Sequence, residues 1–255
     1  MSKQTVQHIV LVNGWSAPTS MWEDFFAEGF DGYSIDVLSL AGLTSLDECS
    51  RAIDDCVQPG TLVAAWSLGG QLALNYLSNY SSEKLRKGFV EGVALLQSTP
   101  CFVNQDGWPY GVTTEDFDSL QGLVEAEEWS QLVRRFSFLL LSGSQYRHLD
   151  KKFLHLVYTV ESLPPKSSLE FGLGLLKSLD LRQCLENIST PMYWLLGSHD
   201  SLIAQDLAIY IENQVAESPV ANECRVKVVN DMGHLPCARH AMDIKKHLFS
   251  FLETL

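Results

Sequence analysis

Three groups in this chain of 255 residues have the types and spacing for nucleophilic chemistry: a serine in a tight turn, a loop histidine to act as its base, and a carboxylate to orient that base. The serine stands in Leu62-Val63-Ala64-Ala65-Trp66-Ser67-Leu68-Gly69-Gly70-Gln71, where a β-rich run enters Ser67 and a helix-like run leaves it. A strand can turn that sharply into a helix only if the residues two before and two after are small, here Ala65 and Gly69, and the turn leaves the serine Oγ exposed above the sheet. No other serine in the chain has glycine two residues later. The competing use for Ser67 is to cap the helix that follows it.

Of the seven histidines, His234 lies in Asp231-Met232-Gly233-His234-Leu235-Pro236, the loop leaving the last β-rich run, where the sites of open α/β sheets gather. His8 opens a strand, His148 and His155 lie in a central helical stretch, His240 and His247 on the last helix, and His199 beside the acid candidate. That acid is Asp200, in the loop after the run Tyr193–Gly197, with Asp36 and Asp231 as rivals. Acyl transfer also needs two N–H groups aimed at the developing oxyanion. Leu68 supplies one, directly after the nucleophile, and the loop Asn13-Gly14-Trp15-Ser16 supplies the second through the amide of Trp15.

The elements that must position these groups alternate along the chain. Strands are predicted at His8–Asn13, Tyr33–Leu38, Thr61–Trp66 and Val93–Gln97, with helices at Ser20–Glu28, Ser45–Val57 and Leu68–Asn79 between and after them. Residues 101–185 read as helical pieces broken by Gly107-Trp108-Pro109, Ser142-Gly143-Ser144 and Pro164-Pro165. The rhythm resumes with strands Met192–Gly197 and Arg225–Asn230 and helices Ala204–Ala216 and Ala238–Leu252, whose Ala241, Ile244, Leu248, Phe251 and Leu252 form one stripe. This predicts a mostly parallel central sheet with helices on both faces, an α/β core of residues 1–100 and 186–255, and an inserted helical lid at 101–185.

Composition narrows the function. Eighteen Lys+Arg against 31 Asp+Glu give a net charge of −13, which repels phosphate backbones and anionic membranes and argues against nucleic-acid binding. No apolar run approaches the roughly 18 residues of a spanning helix, and the start Met1-Ser2-Lys3-Gln4-Thr5 reads as no export signal, so a cytoplasmic monomer is expected. The six cysteines form no Cys-x-x-Cys pair and read as buried, reduced thiols.

With these residues in place the chain resembles the BioH family of pimeloyl-(acyl-carrier protein) methyl ester carboxylesterases, which have the α/β-hydrolase fold. The resemblance spans Val12-Asn13-Gly14-Trp15, Trp66-Ser67-Leu68-Gly69-Gly70 and Ser98-Thr99-Pro100-Cys101-Phe102 with Trp108-Pro109. It continues through Leu176-Lys177-Ser178-Leu179-Asp180-Leu181-Arg182-Gln183, Gly197-Ser198-His199-Asp200 and Gly233-His234. The resemblance implies Ser67, Asp200 and His234 as triad, Trp15 and Leu68 as oxyanion hole, and Phe136 as a lid aromatic touching the acyl chain. Asn13 stands where the family usually has His, Ala65 where it has Gly, and Leu40-Ala41-Gly42-Leu43 lacks its glycine-rich pattern.

Acyl carrier proteins are acidic, so a carrier-linked substrate needs a local basic face. Residues 105–128 hold seven acids and no Lys or Arg, whereas residues 129–166 hold six bases, Arg134, Arg135, Arg147, Lys151, Lys152 and Lys166, against two acids. The family's carrier-binding arginines lie on the lid, which makes Arg135 and Arg147 the matching docking residues. The expected activity is hydrolysis of the methyl ester of pimeloyl-carrier protein for biotin synthesis, without metal or organic cofactor. The alternatives are a general short-chain carboxylesterase or thioesterase, a menaquinone-pathway lyase with basic groups inside its pocket, or a catalytically silent binding protein of the same fold.

Overall fold

The structure is a computed structural model that describes residues 6–216, 224–236 and 239–255. Met1–Thr5, on which the reading of the N-terminus rests, lie outside the described residues, as do Cys237 and Ala238.

Six strands, β1 (His8–Val12), β2 (Ser34–Leu38), β3 (Thr61–Trp66), β4 (Val90–Leu96), β5 (Met192–Gly197) and β6 (Cys224–Val229), form one parallel sheet in the order β2-β1-β3-β4-β5-β6. The interior strands β1, β3 and β5 are buried along their whole length, which is why their sequences are almost unbroken apolar runs. The edge strands β2 and β6 are partly exposed and alternate in character.

The helices are α1 (Glu23–Phe26), α2 (Leu46–Cys56), α3 (Leu68–Asn79), α4 (Glu83–Arg86), α5 (Thr114–Glu125), α6 (Trp129–Leu141), α7 (Arg147–Val157), α8 (Lys166–Ser178), α9 (Leu207–Ala216) and α10 (Ala241–Leu252). From β1 the chain steps one way to β2, and every later step runs the other way. Right-handed crossovers therefore place α1 on one face and α2, α3 and α9 on the other. Side-chain contacts agree: on the α1 side the Phe249 ring of α10 lies 5.0 Å from Phe30, and Lys245 Nζ donates to the Glu28 carbonyl at 2.8 Å. On the opposite side Tyr76 of α3 donates to Asp54 of α2 at 2.8 Å.

Between β4 and β5 the chain makes a helical insert, α5 to α8. Its two ends are tied together: Leu181 N–H donates to the Pro100 carbonyl at 2.9 Å, and Cys101 bridges Asp180 in antiparallel fashion. Gly143, at φ 82, breaks the chain between α6 and α7, and Pro164-Pro165 precede α8.

Several boundaries differ from those predicted. β4 begins at Val90, three residues early, because Gly92 belongs to the strand: a Cβ there would meet Leu255 and Phe251 atoms at 2.8 and 3.0 Å. The strand cannot include Gln97, whose φ is 39. The predicted helix Ser20–Glu28 is a 3-10 turn, Thr19–Trp22, followed by the single turn of α1, since Gly29 and Gly32, both at φ 88, bring the chain round into β2.

Candidate active site

At the end of β3 the backbone of Ser67 takes φ 55 and ψ −121, a strained conformation for a residue with a Cβ. Three hydrogen bonds hold it there. Its N–H donates to the Leu96 carbonyl at 3.0 Å, and its own carbonyl accepts from Gly70 N–H at 2.9 Å and from Ser98 Oγ at 2.8 Å. The crowding explains the glycines: a Cβ on Gly69 would lie 2.2 Å from the Val12 carbonyl oxygen, and one on Gly70 would lie 2.1 Å from Ser98 Oγ. Ala65, two residues before, sits fully buried in the sheet, paired with Val12 and Leu95, so its methyl is accommodated. The Ser67 side chain makes no capping bond to α3, which removes the capping use of this serine.

Instead Ser67 Oγ lies 3.0 Å from His234 Nε2, and His234 Nδ1 lies 2.7 Å from Asp200 Oδ2. The side chains of His234 and Asp200 are both buried. The second carboxylate oxygen, Oδ1, accepts from the backbone N–H groups of Leu202 and Ile203 at 2.8 and 3.1 Å, fixing the carboxylate plane. The rival acids are elsewhere: Asp36 stands 3.4 Å from His8, and Asp231 accepts from Gln145 at 2.8 Å. Two further contacts were not foreseen. Trp66 Nε1 donates to the His234 carbonyl at 3.0 Å, so the residue before the serine also holds the histidine loop. Ser201 Oγ donates to the Leu139 carbonyl of α6 at 3.1 Å, joining the Asp200 loop to the insert.

The loop after β1 passes directly over this turn. A Cβ on Gly14 would come within 2.8 Å of the Trp66 ring and 3.3 Å of Ser67 Cβ. Fully buried Asn13, in the place where the resembled family usually has His, organises the loop: its Nδ2 donates to the Ala17 carbonyl at 2.8 Å, and its Oδ1 accepts from Gly14 N–H at 2.9 Å and Trp22 Nε1 at 3.0 Å. Among the described residues the Trp15 N–H finds no acceptor in a turn, loop or side chain. The Leu68 N–H is the first of α3, one of those a helix leaves without a partner.

Trp15 separates two cavities. The larger, about 220 Å³, is bordered by Trp15, Leu68, Leu72, Pro164 and Phe171, with the hydroxyls of Ser39 and Ser168 on its wall. Its one ionisable lining group is Cys49, whose thiol burial pushes up to about 12 and so keeps neutral. The smaller, about 20 Å³ and thus room for a single water, is lined by apolar side chains, Phe136, Phe117 and Leu173 among them, with Asp116 as its one charged neighbour. Phe136 therefore stands behind Trp15, edge-on at 4.9 Å, and does not line the larger cavity.

On the outer face of the insert, Arg135 Nη2 is bound to Asp116 Oδ1 at 2.7 Å, and Lys166 Nζ to Glu127 at 2.9 Å. The acidic and basic windows of the sequence thus partly neutralise each other across α5, α6 and α8. Arg147 is exposed, with its guanidinium 4.9 Å from the ring of Phe138, itself 46% exposed, and Arg135 approaches the same ring at 6.0 Å. Among the described residues no group of three or more His, Cys, Asp or Glu is placed to hold a metal ion, and no helix is long and apolar enough to cross a membrane.

Residues 9–243 match the model of the Alpha/beta hydrolase family. A pimeloyl-(acyl-carrier protein) methyl ester esterase of Xylella fastidiosa strain 9a5c is 25% identical over 256 residues, covering 97% of this chain and 95% of the relative. The enzyme of that name from Pectobacterium carotovorum is 26% identical over 255 residues, covering 96% of this chain and 94% of its own. Among solved structures, a bromoperoxidase from Bacillus anthracis superposes with a TM-score of 0.82 at 16% identity, over 98% of this chain and 92% of that one, a likeness of fold alone.

Proposed function

The chain belongs to the alpha/beta hydrolase family, and within it we propose that this protein is a serine carboxylesterase hydrolysing the methyl ester of pimeloyl-carrier protein, which frees the ω-carboxylate for biotin synthesis. The observation that carries the hydrolase reading is the unbroken relay from Ser67 Oγ through His234 to Asp200, at 3.0 and 2.7 Å. Full-length similarity to relatives bearing that esterase name supports the substrate. The uncharged wall of the larger cavity suits a neutral methyl ester and disfavours an anionic lyase substrate.

In this mechanism His234 Nε2 takes the proton of Ser67 Oγ as the oxygen attacks the ester carbonyl. Asp200 holds the Nδ1–H tautomer that leaves Nε2 free to accept. The oxyanion is held by the N–H groups of Trp15 and Leu68. The proton then passes from His234 to the departing methoxy oxygen, methanol leaves, and a water activated by His234 cleaves the acyl-serine. The acyl chain occupies the 220 Å³ cavity, a volume below the roughly 300–1,000 Å³ of sites for drug-sized ligands and suited to a slender chain. Phe136 supports the Trp15 wall from behind. The insert acts as a lid over the core, and Arg147, with Arg135 beside it, meets the acidic carrier protein. The working protein is a cytoplasmic monomer.

The test is hydrolysis of pimeloyl-carrier-protein methyl ester beside a short p-nitrophenyl ester, with wild type and Ser67→Ala at low and moderate salt. Fast, Ser67-dependent turnover of the carrier substrate that weakens with salt is the expected result. Turnover of the short ester alone would discard the carrier substrate and keep the esterase, and no Ser67-dependent turnover of either would discard both.

A further inference from the structure

Ser16, the residue directly after Trp15, has φ 55, a left-handed conformation that a residue with a Cβ adopts only where its surroundings enforce it. The Ser67 turn is enforced from within the core, by Leu96, Gly70 and Ser98. At Ser16 a side-chain restraint comes from the insert: Ser16 Oγ and Tyr158 Oη share a hydrogen bond at 2.6 Å, with both residues buried. Tyr158 follows α7 directly, and burial pushes its phenol well above the ordinary tyrosine range, so it stays a neutral hydroxyl at working pH. Its ring adjoins Phe136 at 5.9 Å, and Phe136 in turn backs Trp15 at 4.9 Å. The Trp15 indole N–H donates to the Leu169 carbonyl of α8 at 3.0 Å. The insert therefore grips the oxyanion loop at the Trp15 side chain and again at the residue that follows it.

We propose that Tyr158 is a positioning residue for hydrolysis: its hydroxyl holds Ser16, and through Ser16 it fixes the peptide that carries the Trp15 N–H, so that the oxyanion hole is complete only while the insert is seated on the core. The inference rests on the hydrolase reading above, and specifically on the Trp15 amide as an oxyanion donor. A tyrosine that merely fills space would lose little when its hydroxyl is removed, because Phe keeps the ring and its contacts with Phe136. A positioning tyrosine loses rate, because the amide it steadies acts on the transition state alone.

Removing a whole oxyanion donor costs about 10²- to 10³-fold in kcat, so a donor displaced rather than removed should cost about 10- to 50-fold. The experiment measures kcat and KM for a p-nitrophenyl ester, together with the affinity of a trifluoromethyl ketone that forms a tetrahedral adduct with the serine. The proteins compared are wild type, Ser67→Ala, Tyr158→Phe, Ser16→Ala and Ser16→Gly, and Tyr158→Phe combined with Ser16→Ala. Tyr158→Phe and Ser16→Ala should each lower kcat by that factor at a KM within about twofold, with ketone affinity falling in parallel and the double variant no worse than the poorer single one. Ser16→Gly, which accepts the left-handed conformation freely, should show the same loss and serves if Tyr158→Phe does not fold. Unchanged kcat, a rise in KM alone, or additive losses would overturn the positioning role while wild-type, Ser67-dependent turnover stands. Absence of that turnover in the wild type would overturn the hydrolase reading and this inference with it.

Discussion

Replacing Asp200 by asparagine should disable His234 through its tautomer while leaving the fold standing. One carboxylate oxygen accepts from two backbone N–H groups, Leu202 at 2.8 Å and Ile203 at 3.1 Å, and the other faces His234 Nδ1 at 2.7 Å. An amide has one accepting end and one donating end. If its oxygen stays with Leu202 and Ile203, its NH₂ points at Nδ1, which must then be the bare nitrogen. The ring proton moves to Nε2, where it faces Ser67 and no base remains. Turning the amide round restores the tautomer but leaves two buried N–H groups without an acceptor, at about 1–3 kcal/mol each. The productive arrangement is therefore disfavoured by about 2–6 kcal/mol, or about 30- to 10⁴-fold at roughly 1.4 kcal/mol per decade. The assay is steady-state hydrolysis of a p-nitrophenyl ester with a thermal melt alongside. Asp200→Asn should lose kcat in that range with KM nearly unchanged and a melting temperature within about 4 °C of wild type. A variant keeping more than about a tenth of wild-type kcat, given the same tautomer logic, would refute the assignment of Asp200.

Three further outcomes are expected. Gly69→Ala should destabilise the protein by about 1–3 kcal/mol in a denaturant titration and depress kcat, because the new Cβ would meet backbone carbonyls of Val12 and Asn13 that cannot swing away; a neutral substitution would mean the turn is looser than described. Arg147→Glu should slow the carrier-linked ester by about tenfold or more at low salt, with the difference shrinking as salt rises, and equal losses on a short ester would remove the docking role. Burial raises the thiols of Cys49 and Cys224 from 9.0 to about 12, so the folded chain keeps protons that the unfolded chain gives up above its own thiol pKa. Their contribution is thus complete below pH 9.0 and lost as pH rises toward 12, and the melting temperature should fall across that window, less steeply in Cys49→Ala; a flat profile would contradict the burial.

That Ser67, His234 and Asp200 come together was legible because each sits where local chemistry restricts the residue type. Only glycine fits at Gly69 against the Val12 carbonyl, and Asp200 and His234 follow β5, an apolar run, and β6, an alternating one, both plain in the sequence. What stayed hidden depends on pairing between distant segments. Nothing in Tyr146-Arg147-His148 or Val157-Tyr158-Thr159 marks Tyr158 as the partner of a serine 142 positions earlier. The acidic and basic windows of the insert were read as separate fields, yet α5 lies against α6, and Arg135, read as a docking residue, is already engaged with Asp116. Gly92 concealed the start of β4, since the reason for a glycine there lies in α10 and the last residue, Leu255.

The lining of the 220 Å³ cavity bears on how a turnover ends. It offers hydroxyls and hydrocarbon, and no ammonium, guanidinium or imidazole. Neither Ser67 nor His234 lines it, so in the proposed reaction the new carboxylate forms beside His234 and the Trp15 and Leu68 N–H groups, and carrying it unpaired into the cavity would cost several kcal/mol. The wall accepts the hydrocarbon of the acyl chain and rejects the end that hydrolysis creates. A free acid should accordingly not enter the cavity carboxylate first, which gives the bound chain one direction.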